Sequence, residues 1–164
     1  MCDFYLAILR FFRTFAQNFK PRRSVKSERI YNFHLRQLHF IEAVNKLWKK
    51  TPSSKLNLKN LCTLAAATSP APRFYVTPRH ALDQYFDYKR TGVVCRKNNV
   101  AKEMYKCIFE RYEKALEKNN GVEFRYSVMQ NVLDEAAPSF FLSPKSAYSF
   151  YCRAIEYKRS LARK

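Results

Sequence analysis

The sequence predicts a mainly α protein, built as two tandem helix–helix–extended loop–helix repeats preceded by an N-terminal amphipathic helix. Three observations carry this reading. Glycine is scarce, with 2 Gly and 7 Pro in 164 residues, so the turn-rich composition of an all-β chain is missing. Apolar residues recur at helical spacing in segments rich in Lys, Arg, Leu, Ala and Glu. One stretch occurs twice: Ala71-Pro72-Arg73-Phe74-Tyr75-Val76-Thr77-Pro78-Arg79 returns as Ala137-Pro138-Ser139-Phe140-Phe141-Leu142-Ser143-Pro144-Lys145. A hydrophobic content of 47%, with 16% aromatic, is enough to fill a core.

Residues 4–15 read as a short amphipathic helix with Asp3, Arg10, Arg13 and Gln17 on its wetter side. Its arginines interrupt it well before the roughly 20 apolar residues that a bilayer requires, and Asp3 with no small-residue cleavage site argues against a secretory signal. The aromatic face therefore suits a protein partner, or the body of the protein, better than a membrane. Pro21 ends this helix, and residues 20–29 follow as a basic arm without apolar periodicity. These elements make up residues 1–28; the first repeat then covers 29–92 and the second 93–164.

In the first repeat, Ile30, Phe33, Leu38, Ile41, Val44, Leu47 and Trp48 mark a long helix from Arg29 to Lys50. Lys46, Lys49 and Lys50 gather at its end, where cations complement the helix dipole. Thr51-Pro52-Ser53-Ser54 breaks it, and a second helix runs from Leu56 to Ala67 before the Ser69-Pro70 stop. Pro70 and Pro72 impose extended backbone on the crossing that follows. Strand-like alternation then turns Phe74 and Val76 inward, Arg73 and Tyr75 outward. Thr77 suits an N-cap and Pro78 the first helical position, where its missing N–H costs nothing. The third helix turns Ala81, Leu82, Tyr85 and Phe86 inward and closes at Gly92.

After a linker at 93–99, Met104, Tyr105, Ile108, Phe109, Tyr112, Ala115 and Leu116 form the apolar face of the next helix, opposite Glu103, Lys106, Glu110, Glu113, Lys114 and Glu117. Asn119-Asn120-Gly121 turns the chain. A helix over 122–135, a crossing over 137–143 and a final helix from Pro144 to Leu161 complete the plan, the last with Ala147, Tyr148, Tyr151, Ala154 and Ile155 inward. A spacing of 66 pairs Leu58 with Phe124, Ala66 with Val132, and Tyr85 with Tyr151. Before the inter-helix turn the spacing becomes 68, pairing Phe40 with Ile108 and Val44 with Tyr112, as a two-residue change in a turn of a duplicated chain would produce.

Charge points to the class of partner. Against 13 Asp and Glu stand 31 Lys and Arg, a net +18, and the first 60 residues alone hold 13 cations and 3 acids. Such a field draws polyanions, nucleic acid first among them. Helix N-termini and cations hold phosphates, and exposed rings stack on bases. The candidate contacts are Lys20, Arg22, Arg23, Lys26 and Arg29 on the arm, and Lys49 and Lys50 at the end of the long helix. To these are added Arg73, Tyr75 and Arg79 at the first crossing, Lys89 and Arg90 at the end of the third helix, and Lys145 at the second crossing.

No catalytic or metal-binding constellation is expected, and no cofactor. His34, His39 and His80 have neither HExxH nor triad spacing, and two glycines leave no Walker or GxGxxG loop. Five cysteines (Cys2, Cys62, Cys95, Cys107, Cys152) are odd in number and widely spaced, which suits neither a disulfide framework nor zinc. Cys62, Cys107 and Cys152 are expected to pack as small apolar residues in a reducing compartment.

The doubled APRFY-type motif resembles small uncharacterised basic proteins of Bacteroidetes phages and mobile elements, over residues 69–82 and 135–148. That resemblance implies a phage or mobile-element setting and no particular activity. Helix, loop and basic helix are also similar to the helix-turn-helix plan, although the seven-residue crossing at 137–143 exceeds the usual turn of about three to four residues. The expectation is a non-enzymatic nucleic-acid-binding protein, cytoplasmic or virion-associated. The alternative is an assembly subunit of a phage particle or ribonucleoprotein, docking through residues 4–15.

Overall fold

The computed structural model describes residues 25–52, 57–119 and 124–163. The expected helix at 4–15 and the arm cations Lys20, Arg22 and Arg23 lie outside them. Six helices follow one another: α1 (Val25–Lys50), α2 (Leu58–Thr68), α3 (Pro78–Thr91), α4 (Asn99–Asn119), α5 (Arg125–Asp134) and α6 (Pro144–Ala162). The protein is mainly helical, as expected. Among the described residues the crossings form no strand; their one sheet-like pairing is an antiparallel bridge between Ala71 and Ala137. Each of these alanines donates its N–H to the other's carbonyl, at 3.0 and 2.8 Å.

Local chemistry explains most boundaries. Asn57 caps α2 by accepting from the Lys59 and Asn60 N–H groups. Thr77 caps α3 by accepting from the His80 N–H at 3.4 Å, with Pro78 at the first position. Gly92, at φ 70°, closes α3 in the left-handed conformation that a side chain would strain. Three boundaries differ from expectation. α1 begins at Val25, inside the expected arm, with Glu28 in its first turn at the positive end of the dipole. α2 begins at Leu58, after its Asn57 cap, and α5 at Arg125, after Phe124, which is 86% exposed and provides no side-chain cap.

Helix packing does not follow chain order. α1 packs on α2, and both are closed by α6 from the far end of the chain. α4 packs on α5, and both are closed by α3. The two crossings thus carry the chain from one three-helix group to the other, and they meet at the Ala71–Ala137 bridge. A single core runs through both groups. Phe40 meets Phe140 and Phe150 edge-on at 5.1 and 5.7 Å, and Tyr85 meets Phe109 and Tyr112 in the same way at 5.4 and 4.9 Å. Between the groups, Phe74 stacks on Phe141 at 6.1 Å and Tyr75 on Phe140 at 6.3 Å.

Several inward assignments need correction. Phe86 and Tyr148 are exposed, and on α6 Phe150 is buried in place of Tyr148. On α3, Ala81 and Tyr85 define the buried direction; Phe86 lies one residue further round, where the Arg125 guanidinium covers its ring at 5.8 Å. Ile30, Phe33 and Trp48 are also exposed, because α1 extends beyond the part of the core built on Phe40, Ile41 and Val44. In α2 the buried residues are Leu61, Cys62, Ala65 and Ala66, and in α5 they are Val128, Met129, Val132 and Leu133. They correspond at a spacing of 67, not the expected 66. The helix ends account for the difference: Ser69 N–H bonds the carbonyl four residues back, at Ala65, whereas Glu135 N–H bonds the carbonyl three back, at Val132. The tighter last turn of α5 absorbs one residue.

Candidate anion-binding cleft

The anticipated cations fall into two sets. Arg73 is tied to Asp134 at 2.8 Å, Lys89 to Glu113 at 2.6 Å, and Arg90 to Asp87 at 2.9 Å. A fourth pair joins Arg111 to Glu135 at 3.1 Å, and Arg111 also donates to the Ala136 carbonyl. These arginines and lysines already have anionic partners. Arg29, Lys49, Lys50, Arg79 and Lys145 are exposed, and none of them is ion-paired among the described residues. Lys26 falls in the first turns of α1. Among the described residues the four ion pairs all join residues between Arg73 and Glu135, so α1 contributes no partner to them.

Tyr75 is not a free stacking platform. Its ring lies on Phe140, and its hydroxyl is 2.7 Å from Nδ1 of His39. Burial pushes the Tyr75 phenol well above its usual range, against the pull of Arg36 and Arg73. Burial, and then Arg73, hold His39 below the ordinary histidine value, so the ring is neutral near pH 7 and pairs with an un-ionised phenol.

The structure brings together a different set of cations. A cleft of about 930 Å³ opens between the N-terminal half of α1, the end of the first crossing, the start of α3, and the linker leading into α4. Its polar lining includes Arg29, Asn32, His34, Arg36, His80 and Arg96, and among the described residues no Asp or Glu lines it. Phe33, Tyr75 and Tyr105 supply aromatic walls.

Two arginines define its floor. Arg36 donates through Nη2 to the carbonyls of Phe140 and Phe141, holding the second crossing from α1. Burial pushes its guanidinium down to about 10, which leaves it charged at neutral pH. Arg96 donates through Nη2 to His80 Nε2 and, at 3.2 Å, to the Tyr105 hydroxyl, and its guanidinium covers the Tyr105 ring at 4.9 Å. His80 therefore accepts at Nε2 and carries its proton on Nδ1. Burial, Arg96 and Arg29 lower the His80 pKa, with Asp83 opposing them. The Nε of Arg36 and the Nε of Arg96 are both buried without a hydrogen-bond partner.

Of this set only Arg29 and Tyr75 were anticipated from the sequence. Arg36 had a legible signal: it lies between Phe33 and Phe40 on the apolar side of α1, where a cation needs acceptors from elsewhere. Arg96 had none, since its linker has no periodicity and its partners come from α3 and α4. Among the described residues no group of three or more His, Cys, Asp or Glu side chains could hold a metal ion, and no helix is long and apolar enough to cross a membrane. Cys62 is buried in the core and its thiol is pushed up to about 11, away from reactive thiolate. No protein-family model, no curated protein and no solved structure matches this chain.

Proposed function

We propose that the protein binds nucleic acid through its phosphates and carries out no reaction on it. One observation carries this reading. Among the described residues the ion pairs lie between Arg73 and Glu135, while the exposed cations of α1 and those of the cleft have no carboxylate partner, in a chain of net charge +18. Unpaired surface cations release counterions when phosphates replace them, which is the main source of affinity for a polyanion. Arg29, Lys49, Lys50, Arg79 and Lys145 are the contacts this reading retains. Arg73 is reassigned to tying the first crossing to α5, Lys89 to joining α3 to α4, and Arg90 to an ion pair within α3.

The proposal extends to the scaffold. The chain is a duplicated helix–helix–crossing–helix unit whose third helices have changed places. The symmetric Ala71–Ala137 bridge supports this, as do the paired stacks, because Phe74 on Phe141 and Tyr75 on Phe140 are the same contact with the copies exchanged. The assembly reading rests on residues 4–15, outside the described part of the chain. A phage or mobile-element setting follows only from the resemblance of the doubled motif.

The test is a mobility-shift titration in salt. Log affinity is expected to fall linearly with log salt, and joint replacement of Arg29, Lys49, Lys50 and Arg79 by Gln is expected to make the slope shallower, by about one for each phosphate no longer neutralised. Replacing Lys89 and Arg90, already paired, leaves the slope unchanged. Absence of binding at low salt, or binding indifferent to salt, would overturn the proposal.

A further inference from the structure

We propose that the cleft between α1, the first crossing and the linker into α4 is a discrete site for a small phosphate ester of nucleotide size, its phosphate held by Arg36 and Arg96 and its base laid against the aromatic wall. This goes beyond the phosphate-binding surface of the exposed lysines and does not depend on it. The volume of about 930 Å³ is far more than one phosphate fills and lies within the range of ligand pockets, roughly 300–1,000 Å³.

The floor lacks an anion. Among the described residues, three arginines and two histidines line the cleft without an Asp or Glu, so charge brought out of bulk water there has no compensating charge on the lining. Arg96 spends Nη2 on two neutral acceptors, the His80 ring and the Tyr105 hydroxyl, which a phosphate oxygen outcompetes because charge-assisted hydrogen bonds are the stronger ones. The unpartnered Nε of Arg36 and of Arg96 each belong to the Nε–Nη edge of a guanidinium, the edge that holds two oxygens of a phosphate at once. Turning that edge toward the cleft satisfies a buried donor that now has none. The walls then suit what a phosphate would carry: Phe33 offers an exposed ring to a base, Tyr75 and Tyr105 close the apolar side behind it, and Asn32 and His34 add polar groups to the lining. Arg29, at the outer turn of α1, adds charge near the mouth and acts on His80 across the cleft.

The test uses the full chain with AMP, inorganic phosphate and adenosine as separate probes, read by calorimetry and by thermal shift. AMP is expected to bind and to raise the melting temperature, inorganic phosphate to bind more weakly, and adenosine not to bind. Arg96→Gln is expected to weaken AMP about tenfold or more, as loss of charge-assisted hydrogen bonds implies. Should Arg96→Gln fold poorly, Arg29→Gln, an exposed position, is expected to weaken AMP by about threefold without altering helicity. Lys49→Gln with Lys50→Gln leaves AMP affinity unchanged while reducing affinity for long nucleic acid. The inference is overturned if neither AMP nor phosphate binds, if adenosine binds as well as AMP, or if Arg29→Gln and Lys49→Gln with Lys50→Gln weaken AMP equally. AMP binding without affinity for long nucleic acid would remove the polyanion reading and leave this site standing; the reverse pattern would do the opposite.

Discussion

The first crossing, residues 71–79, and the second, residues 137–145, share a sequence plan and differ in how they are held. In the first, Arg73 reaches Asp134, Tyr75 reaches His39 through its hydroxyl, and Thr77 caps α3. In the second, the place of Arg73 is taken by Ser139, whose Oγ accepts from the Phe141 N–H. Ser143 pairs with the Ser146 hydroxyl at 2.7 Å and provides no cap for α6. Phe141, where the first crossing has Tyr75, has φ 50°, uncommon for a bulky residue, and its carbonyl is gripped together with that of Phe140 by Arg36. The first crossing is thus fastened by its own side chains, and the second by an arginine from α1. The lesson is that a repeated motif repeats its apolar anchors more faithfully than its polar fastenings. The cleft arises beside the copy that kept the polar ones.

The anchors allow the largest test. Phe74 and Phe140 are 1% and 2% exposed, so Phe74→Ala and Phe140→Ala are each expected to cost about 3–5 kcal/mol, read as urea midpoints at constant slope. The two losses should agree within about 2 kcal/mol, the spread among comparably buried sites. A gap larger than that would show that one crossing is not an equal partner in the core.

The caps offer a smaller contrast. Thr77→Ala removes the acceptor for the His80 N–H and is expected to cost about 0.5–1 kcal/mol. Ser143→Ala removes no cap bond and is expected to stay within about 0.5 kcal/mol of the parent protein. Equal losses on chemical denaturation would erase the distinction between the two helix starts.

The gentlest test is pH. His39 and His80 face the first crossing and the cleft, and both have folded pKa values below the ordinary one. The unfolded chain takes up protons that the folded chain resists, so their contribution is fully present above the usual histidine value, about 6.5, and is lost as pH falls toward the lowered folded values. Melting temperature is expected to decline from pH 7.5 toward 5.5, and His39→Gln and His80→Gln each to flatten that decline. A decline equally steep in both variants would place its source elsewhere in the molecule.

What could be read in advance was local. Helical periodicity, the Thr77 cap, Pro78 and Gly92 specify α3 within a few neighbouring residues, and the inward Phe74 and Val76 follow from alternation alone. Burial of Phe150 in place of Tyr148 was not readable, because residues two apart on a helix differ by about 200° and only the position of α1 decides which is covered. Arg96 was silent for a similar reason: its meaning lies in His80 and Tyr105, which belong to other elements.

By itself, the sequence determined that this chain is helical, strongly cationic and marked by one motif used twice, since each of these depends on composition or on residues within a few turns. Only the tertiary structure decided that α6 closes α1 and α2 while α3 closes α4 and α5, because α3 and α6 have similar apolar faces and nothing local states which pair each will cover. The same packing lays the first crossing over α1 and brings Arg36, His80 and Arg96 to one cleft. Long-range packing, which no short window of sequence contains, put them there.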